Sequence, residues 1–201
     1  MSKIFETPMS MAAFFKASHG TWLNRRAVHH LDHQDDEAAD SNLIIEPFGP
    51  QDPEVSKICN NLNVSAEDCT GGARFWWESN TKKGVRNDDY AAIVIDIPER
   101  NDSRKGFLLR DVGYVEKNSV ISTYSFANDG VLTITTRYDS NIGIERCWFV
   151  TDQLRMRVSS VQCLDGVTMT TYCTEFRCPT DDEIREVAHR ASDLANRTPI
   201  L

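Results

Sequence analysis

Residues 142–163 read IGIERCWFVTDQLRMRVSSVQC. Two runs rich in β-branched, aromatic and aliphatic residues flank Thr151, Asp152 and Gln153, so the stretch predicts a β-hairpin. Side chains alternate along a strand. On the second strand Leu154, Met156 and Val158 therefore share one face, and Arg155, Arg157 and Ser159 share the other. Two guanidiniums two residues apart form a row suited to a ligand that carries two acidic groups. The turn decides what faces them. A three-residue loop sets Glu145 opposite Ser159 and Phe149 opposite Arg155, whereas a two-residue loop sets Trp148 opposite Arg157. A slip of one residue swaps the faces altogether, so this register stays open.

Outward from this hairpin, further strands are expected at 21–31, 41–47, 72–79, 90–97, 106–116, 120–126, 131–138 and 167–177. Strong turn signals separate the later ones: Asn128-Asp129-Gly130, Asp139-Ser140-Asn141 and Leu164-Asp165-Gly166. Loops this short join antiparallel neighbours, which makes the second half a meander. The acidic tract from Asp32 to Asp40 reads as a solvated loop. Helices are expected at 9–17, at 53–61 behind Asp52-Pro53, and at 181–195, where acids lead and bases follow. About ten consecutive strands do not fit a parallel βαβ pattern. They predict a mainly β fold: one domain over 1–201, with a closed up-and-down antiparallel barrel at about 20–177 and a few short helices. A barrel of that size holds one small ligand.

Bulk properties narrow the function. A chain of 201 residues buries roughly 70% of its unfolded surface without needing disulfides. Its formal charge of -8 argues against a nucleic-acid partner. No run approaches the ~18 apolar residues of a membrane span, and residues 1–11 lack a signal-peptide layout, so export is not expected. The six cysteines form no C-x-x-C pair and read as small apolar residues in a reducing compartment. His29 and His30 point to opposite faces of a strand, which speaks against a shared metal, and none is expected.

Gly20-x-Trp22, just after a short helix, resembles the lipocalin entrance signature, in which the tryptophan caps the barrel floor against a basic side chain of the last strand; Arg177 occupies the matching place. A longer set of stretches resembles the S-type phycobiliprotein lyases, a lipocalin-related family. They are Phe14-Phe15-x-x-Ser18-x-Gly20-x-Trp22-x-x-x-Arg26-x-x-His29-His30-Leu31, then Asp52-Pro53-Glu54-Val55 and Gly72-Ala73-Arg74-x-x-Trp77. Next come Leu108-Leu109-Arg110-Asp111-x-Gly113-Tyr114 and Asp129-Gly130-x-Leu132-Thr133. The last are Glu145-Arg146-x-Trp148-Phe149 and Leu154-Arg155-x-Arg157. Thr174-Glu175-Phe176-Arg177 departs from the usual family ending, Ser-Glu-Ile-Arg.

The resemblance implies an enzyme that holds an open-chain tetrapyrrole, a bilin, without a bond of its own and attaches it by a thioether to a cysteine of a phycobiliprotein subunit. It implies no cofactor, since the bilin is the substrate. Its partners are the bilin and the apo-subunit, with a homodimer left open, in a cyanobacterial cytoplasm or a plastid stroma. Phycoerythrobilin is favoured over phycocyanobilin. Arg155 and Arg157 are expected on the two propionates and Glu145 on the pyrrole N–H groups as the catalytic carboxylate. Trp77 supplies a flat packing surface, and Arg26, Trp148, Ser159 and Glu175 complete the expected bilin contacts. For Glu175, a role as internal counter-ion to Arg155 competes with ligand contact; for Arg26, pairing with Glu175 competes likewise. The rival readings are a non-enzymatic bilin carrier and a lipocalin-like binder of other hydrophobic ligands.

Overall fold

The computed structural model describes residues 5–32, 35–79, 86–113, 118–163 and 166–178. Ten antiparallel strands close on themselves. They are β1 (Gly20–His30), β2 (Asp35–Phe48), β3 (Gly71–Ser79), β4 (Arg86–Glu99), β5 (Asp102–Arg110), β6 (Val120–Phe126), β7 (Leu132–Arg137), β8 (Asn141–Thr151), β9 (Leu154–Cys163) and β10 (Gly166–Cys178). Each strand pairs with its neighbours in sequence, and β1 pairs with β10 to complete the ring. The expected closed up-and-down barrel is therefore present, and closure leaves no sheet edge.

Among the described residues two helices accompany it. In α1 (Met11–Ser18) the Ser10 side chain caps the N-terminus by accepting from the Ala13 amide at 3.3 Å. In α2 (Pro53–Asn61) Asp52 caps the first turn and proline stands inside it. Asp52 also holds Arg74 of β3 at 2.7 Å, which ties α2 to the barrel wall.

The side chains sort into an interior cluster and an outer one. Inside, Met11, Phe14 and Phe15 of α1 pack with Trp22, Leu43, Leu132 and Phe149 and plug one end of the barrel. Outside, Val55, Ile58 and Cys59 of α2 cover Ile95 and Leu109. At the plugged end the Trp22 indole donates to the Ser18 carbonyl at 2.8 Å. The Arg177 guanidinium lies 4.2 Å from the Trp22 ring centroid and donates to the carbonyls of Ala17 and His19. The tryptophan thus caps this end against a basic side chain of the last strand, as Gly20-x-Trp22 with Arg177 led one to expect. An N-terminal strap crosses the same end, with Phe5 on Phe149. Thr7 packs on Gly130, where φ is +81° and a Cβ would collide with the threonine methyl.

Several strand boundaries differ from expectation, and side chains explain two of them. The acidic tract is not wholly a loop, because residues 35–40 belong to β2. Basic groups of β1 face it across the hairpin: Arg25 meets Asp40 at 3.2 Å, His29 meets Asp36 at 2.8 Å and His30 meets Glu37 at 3.2 Å. Polar pairs across a ladder, ionic in the case of Arg25 and Asp40, support a strand that has no apolar alternation. β5, in turn, stops at Arg110 rather than running to 116. The Asp111 carboxylate accepts the backbone N–H of both Ile93 and Val112 at 2.8 Å, which ends the ladder. The helix expected at 181–195 lies outside the described residues.

Candidate functional site

The hairpin at 142–163 adopts one of the registers its sequence left open. Glu145 stands opposite Ser159, Cys147 opposite Arg157 and Phe149 opposite Arg155, with an irregularity between Phe149 and Thr151. The tip pairs Thr151 with Leu154, as a two-residue loop would, and the irregularity then shifts the rest of the ladder into the pairing expected of a three-residue loop. That pairing turns Glu145, Cys147 and Phe149 of β8 inward together with Arg155, Arg157 and Ser159 of β9.

The interior above the α1 plug is a cavity of about 520 Å³, within the ~300–1,000 Å³ typical of small-ligand sites. Its wall is mostly apolar, with Phe75, Trp77, Leu43, Leu108, Leu132 and Ile134 among the lining residues. Against that wall stand four guanidiniums, Arg26, Arg110, Arg155 and Arg157, and one carboxylate, Glu145. The described lining is thus cationic, in a chain whose net charge is negative.

One buried network sets the arginines. Glu175 of β10 is fully buried and accepts Arg155 Nε at 2.5 Å on one oxygen and Arg157 Nε at 3.1 Å on the other. Burial pushes the Glu175 carboxyl up, but the two guanidiniums together outweigh burial and hold it below the ordinary carboxylate range. Arg155 is only 3% exposed. It also donates to the Ser18 hydroxyl at 2.8 Å and lies among Trp22, Phe14 and Phe149, with its guanidinium 5.0 Å from the Trp22 centroid. Arg157, one layer nearer the open end, bridges Glu175 and Glu145, reaching Glu145 Oε2 at 3.4 Å. It contacts the Cys173 sulfur as well, at 3.4 Å. Burial pushes the thiols of Cys147 and Cys173 up, so both remain protonated.

Of the residues expected at the site, Glu145, Arg155, Arg157, Ser159, Arg26 and Trp77 line the cavity. Two do not. Trp148 pairs with Met156 on the opposite face of the hairpin, because the observed register turns Cys147 and Phe149 inward on either side of it. Glu175 faces inward from β10 beneath the lining, where it is the shared counter-ion of Arg155 and Arg157. Arg26 does not pair with Glu175; its nearest carboxylate is Glu37, at 3.6 Å. Arg110 and Asn24 were overlooked. Arg110 follows Leu108 at the inward spacing of β5, a signal that the alternation itself carried, and Asn24 shares the face of Trp22 and Arg26. Among the described residues no group of three or more His, Cys, Asp or Glu side chains forms a metal site.

Barrel, plug and interior together define a closed antiparallel β-barrel around a mostly apolar chamber lined by guanidiniums. Residues 10–178 match the family described as CpeS-like protein. A chromophore lyase CpcS/CpeS of Synechococcus sp. (strain WH8020) is 60% identical over the full length of both chains. The phycocyanobilin lyase subunit CpcS of Picosynechococcus sp. is 33% identical, over 90% of this chain and 92% of its own. The solved S-type phycobiliprotein lyase CPES from Guillardia theta superposes with a TM-score of 0.69 at 26% identity, covering 87% of this chain and 96% of that one. The chain belongs to this CpeS-like family of chromophore lyases.

Proposed function

We propose that the cavity binds one bilin and that the chain attaches it, through a thioether, to a cysteine of a phycobiliprotein subunit. The observation that carries this is the inward row of Arg155 and Arg157 facing Glu145 across a mostly apolar chamber. A bilin matches each part. Its propionates pair with guanidiniums, Arg157 and Arg26 being the more open and Arg155 forming the base of the row. Its pyrrole N–H groups donate to Glu145, and Ser159, directly across the ladder, offers a hydroxyl beside that carboxylate. Trp77 gives the planar body a surface to stack on.

The chamber is plugged by α1 at one end, so the ring that reacts must be presented at the other. There the acceptor's thiol adds across the exocyclic ethylidene double bond of ring A. The S–C bond forms, the π pair moves to the adjoining ring carbon, and the thiol proton ends on that carbon. Nothing leaves, and no oxidant is needed. The chain contributes orientation and exclusion of water.

Phycoerythrobilin is the preferred chromophore. The cytoplasm of a cyanobacterium or a plastid stroma is the proposed setting, in keeping with the cyanobacterial relatives. A spectral titration tests the binding step. Addition of protein should shift and sharpen the bilin absorption, more strongly for phycoerythrobilin than for phycocyanobilin. Unchanged spectra alongside tight fatty-acid binding would make the chain an ordinary hydrophobic-ligand binder.

A further inference from the structure

We propose that Glu145 has a second task, which is to keep the cavity's own thiol, Cys147, from capturing the electrophilic ligand meant for the acceptor. The proposal rests on the lyase reading above, because that reading places a reactive alkene in the chamber.

Cys147 is a nucleophile that the transfer reaction does not use, yet it lines the cavity. It follows Glu145 by two residues on the inward face of β8, and its cross-strand partner is Arg157. A thiol beside a guanidinium would ordinarily be activated, since the cation favours the thiolate. Glu145 intervenes on both sides. Its Oε1 lies 3.7 Å from the Cys147 sulfur, placed to accept the S–H, while its Oε2 lies 3.4 Å from Arg157 Nη1. The charged groups facing the thiol are Glu145 on its own strand, Arg155 and Arg157 on β9 and Glu175 on β10. Burial first and then Glu145 push the thiol up, while the two arginines pull it down. With Glu145 neutral, the arginines remain and their pull loses its strongest charged opponent.

The reaction held off is a Michael-type addition. The Cys147 sulfur would bond to the exocyclic carbon, the π pair would move to the adjoining ring carbon, and the thiol proton would end there. It balances without an oxidant and would trap the bilin on the lyase. The ligand class is therefore any conjugated alkene small or flat enough to enter the chamber.

Acrylamide labelling read by peptide mass spectrometry tests this without a bilin. Glu145→Gln should raise the labelling rate of Cys147 about tenfold, as a larger thiolate fraction at the same pH predicts. Cys163, which lies outside the cavity lining, should keep its rate. The double variant Glu145→Gln/Arg157→Gln should return Cys147 to near its original rate, because the activating cation is gone. An unchanged rate in the single variant overturns the proposal. So does a double variant as fast as the single one, which would mean loosened packing rather than charge.

With phycoerythrobilin, Glu145→Gln should gain one bilin mass on Cys147, lost again in Glu145→Gln/Cys147→Ala, while the unaltered protein gains none. Covalent bilin on Cys147 of the unaltered protein, or none on a Glu145→Gln variant that still shifts the bilin spectrum, overturns it. If the unaltered protein leaves the bilin spectrum unchanged, the lyase reading fails while the acrylamide result still stands.

Discussion

Arg155→Met removes one of the two cations that hold Glu175. Glu175 is fully buried, and of its two oxygens one is held by Arg155 at 2.5 Å and the other by Arg157 at 3.1 Å. Losing one partner of a buried pair typically costs about 3–5 kcal/mol, because the remaining charge stays buried without compensation. Methionine conserves much of the volume beside Phe14, Trp22 and Phe149, so the cavity contribution is small. For a chain of this size each kcal/mol shifts Tm by roughly 2–4 °C, which gives a fall of about 6–20 °C. The assay is a double-mutant cycle by thermal and chemical denaturation, with Arg155→Met, Glu175→Gln and the pair. If the buried charge is the cause, the pair should be clearly less destabilised than the sum of the singles, with a coupling of about 2 kcal/mol or more. Additive losses would refute the reasoning, and so would an Arg155→Met variant that melts within about 2 °C of the parent. The cycle also isolates the structural role of Arg155, which anchors the plugged end through Glu175 and Ser18.

Arg157→Ala should show the opposite balance: a smaller loss of Tm, and bilin binding weakened about 10- to 150-fold. That is the effect of removing a charge-assisted contact worth about 1.5–3 kcal/mol. Trp77→Ala should weaken bilin binding by about 2- to 12-fold, as an aromatic contact worth about 0.5–1.5 kcal/mol predicts, whereas Trp148→Phe should leave the titration unchanged. Acid should unfold the protein partly through Glu175. Its folded-state pKa is depressed below the ordinary 4.5, so its stabilisation is complete above pH 4.5 and is lost as the pH falls through that value toward the folded pKa. Denaturation at pH 7, 5 and 3.5 should show this loss, and Glu175→Gln should be less sensitive over the acid step.

Much of the barrel was legible because its signals are local. Turn triplets at Asn128-Asp129-Gly130 and Asp139-Ser140-Asn141 lie between alternating runs, and they mark hairpins without any knowledge of partners. Where the decisive contact was non-local, the expectation failed. The tract from Asp35 to Asp40 has no apolar face; it becomes a strand only because Arg25, His29 and His30 of β1 stand opposite. The site followed the same rule. Arg155, Arg157 and Ser159 share a face by alternation alone, so they could be grouped early. Trp148 was misplaced because its face depends on an irregularity between Phe149 and Thr151 that no composition reveals. Glu175 was weighed as the counter-ion of Arg155, but its second partner, Arg157, needed knowledge of the neighbour strand.

The central claim is that this interior holds a bilin without bonding it and delivers it to another chain. Incubating the protein with phycoerythrobilin and an apo-phycobiliprotein subunit, then mapping both chains by mass spectrometry, tests that directly. The account predicts faster formation of a single thioether adduct at one acceptor cysteine, a slower reaction with Arg157→Ala, and no bilin bound covalently to the lyase. An acceptor labelled no faster than in the absence of the protein, while the bilin stays in the barrel, would make it a carrier and contradict the account.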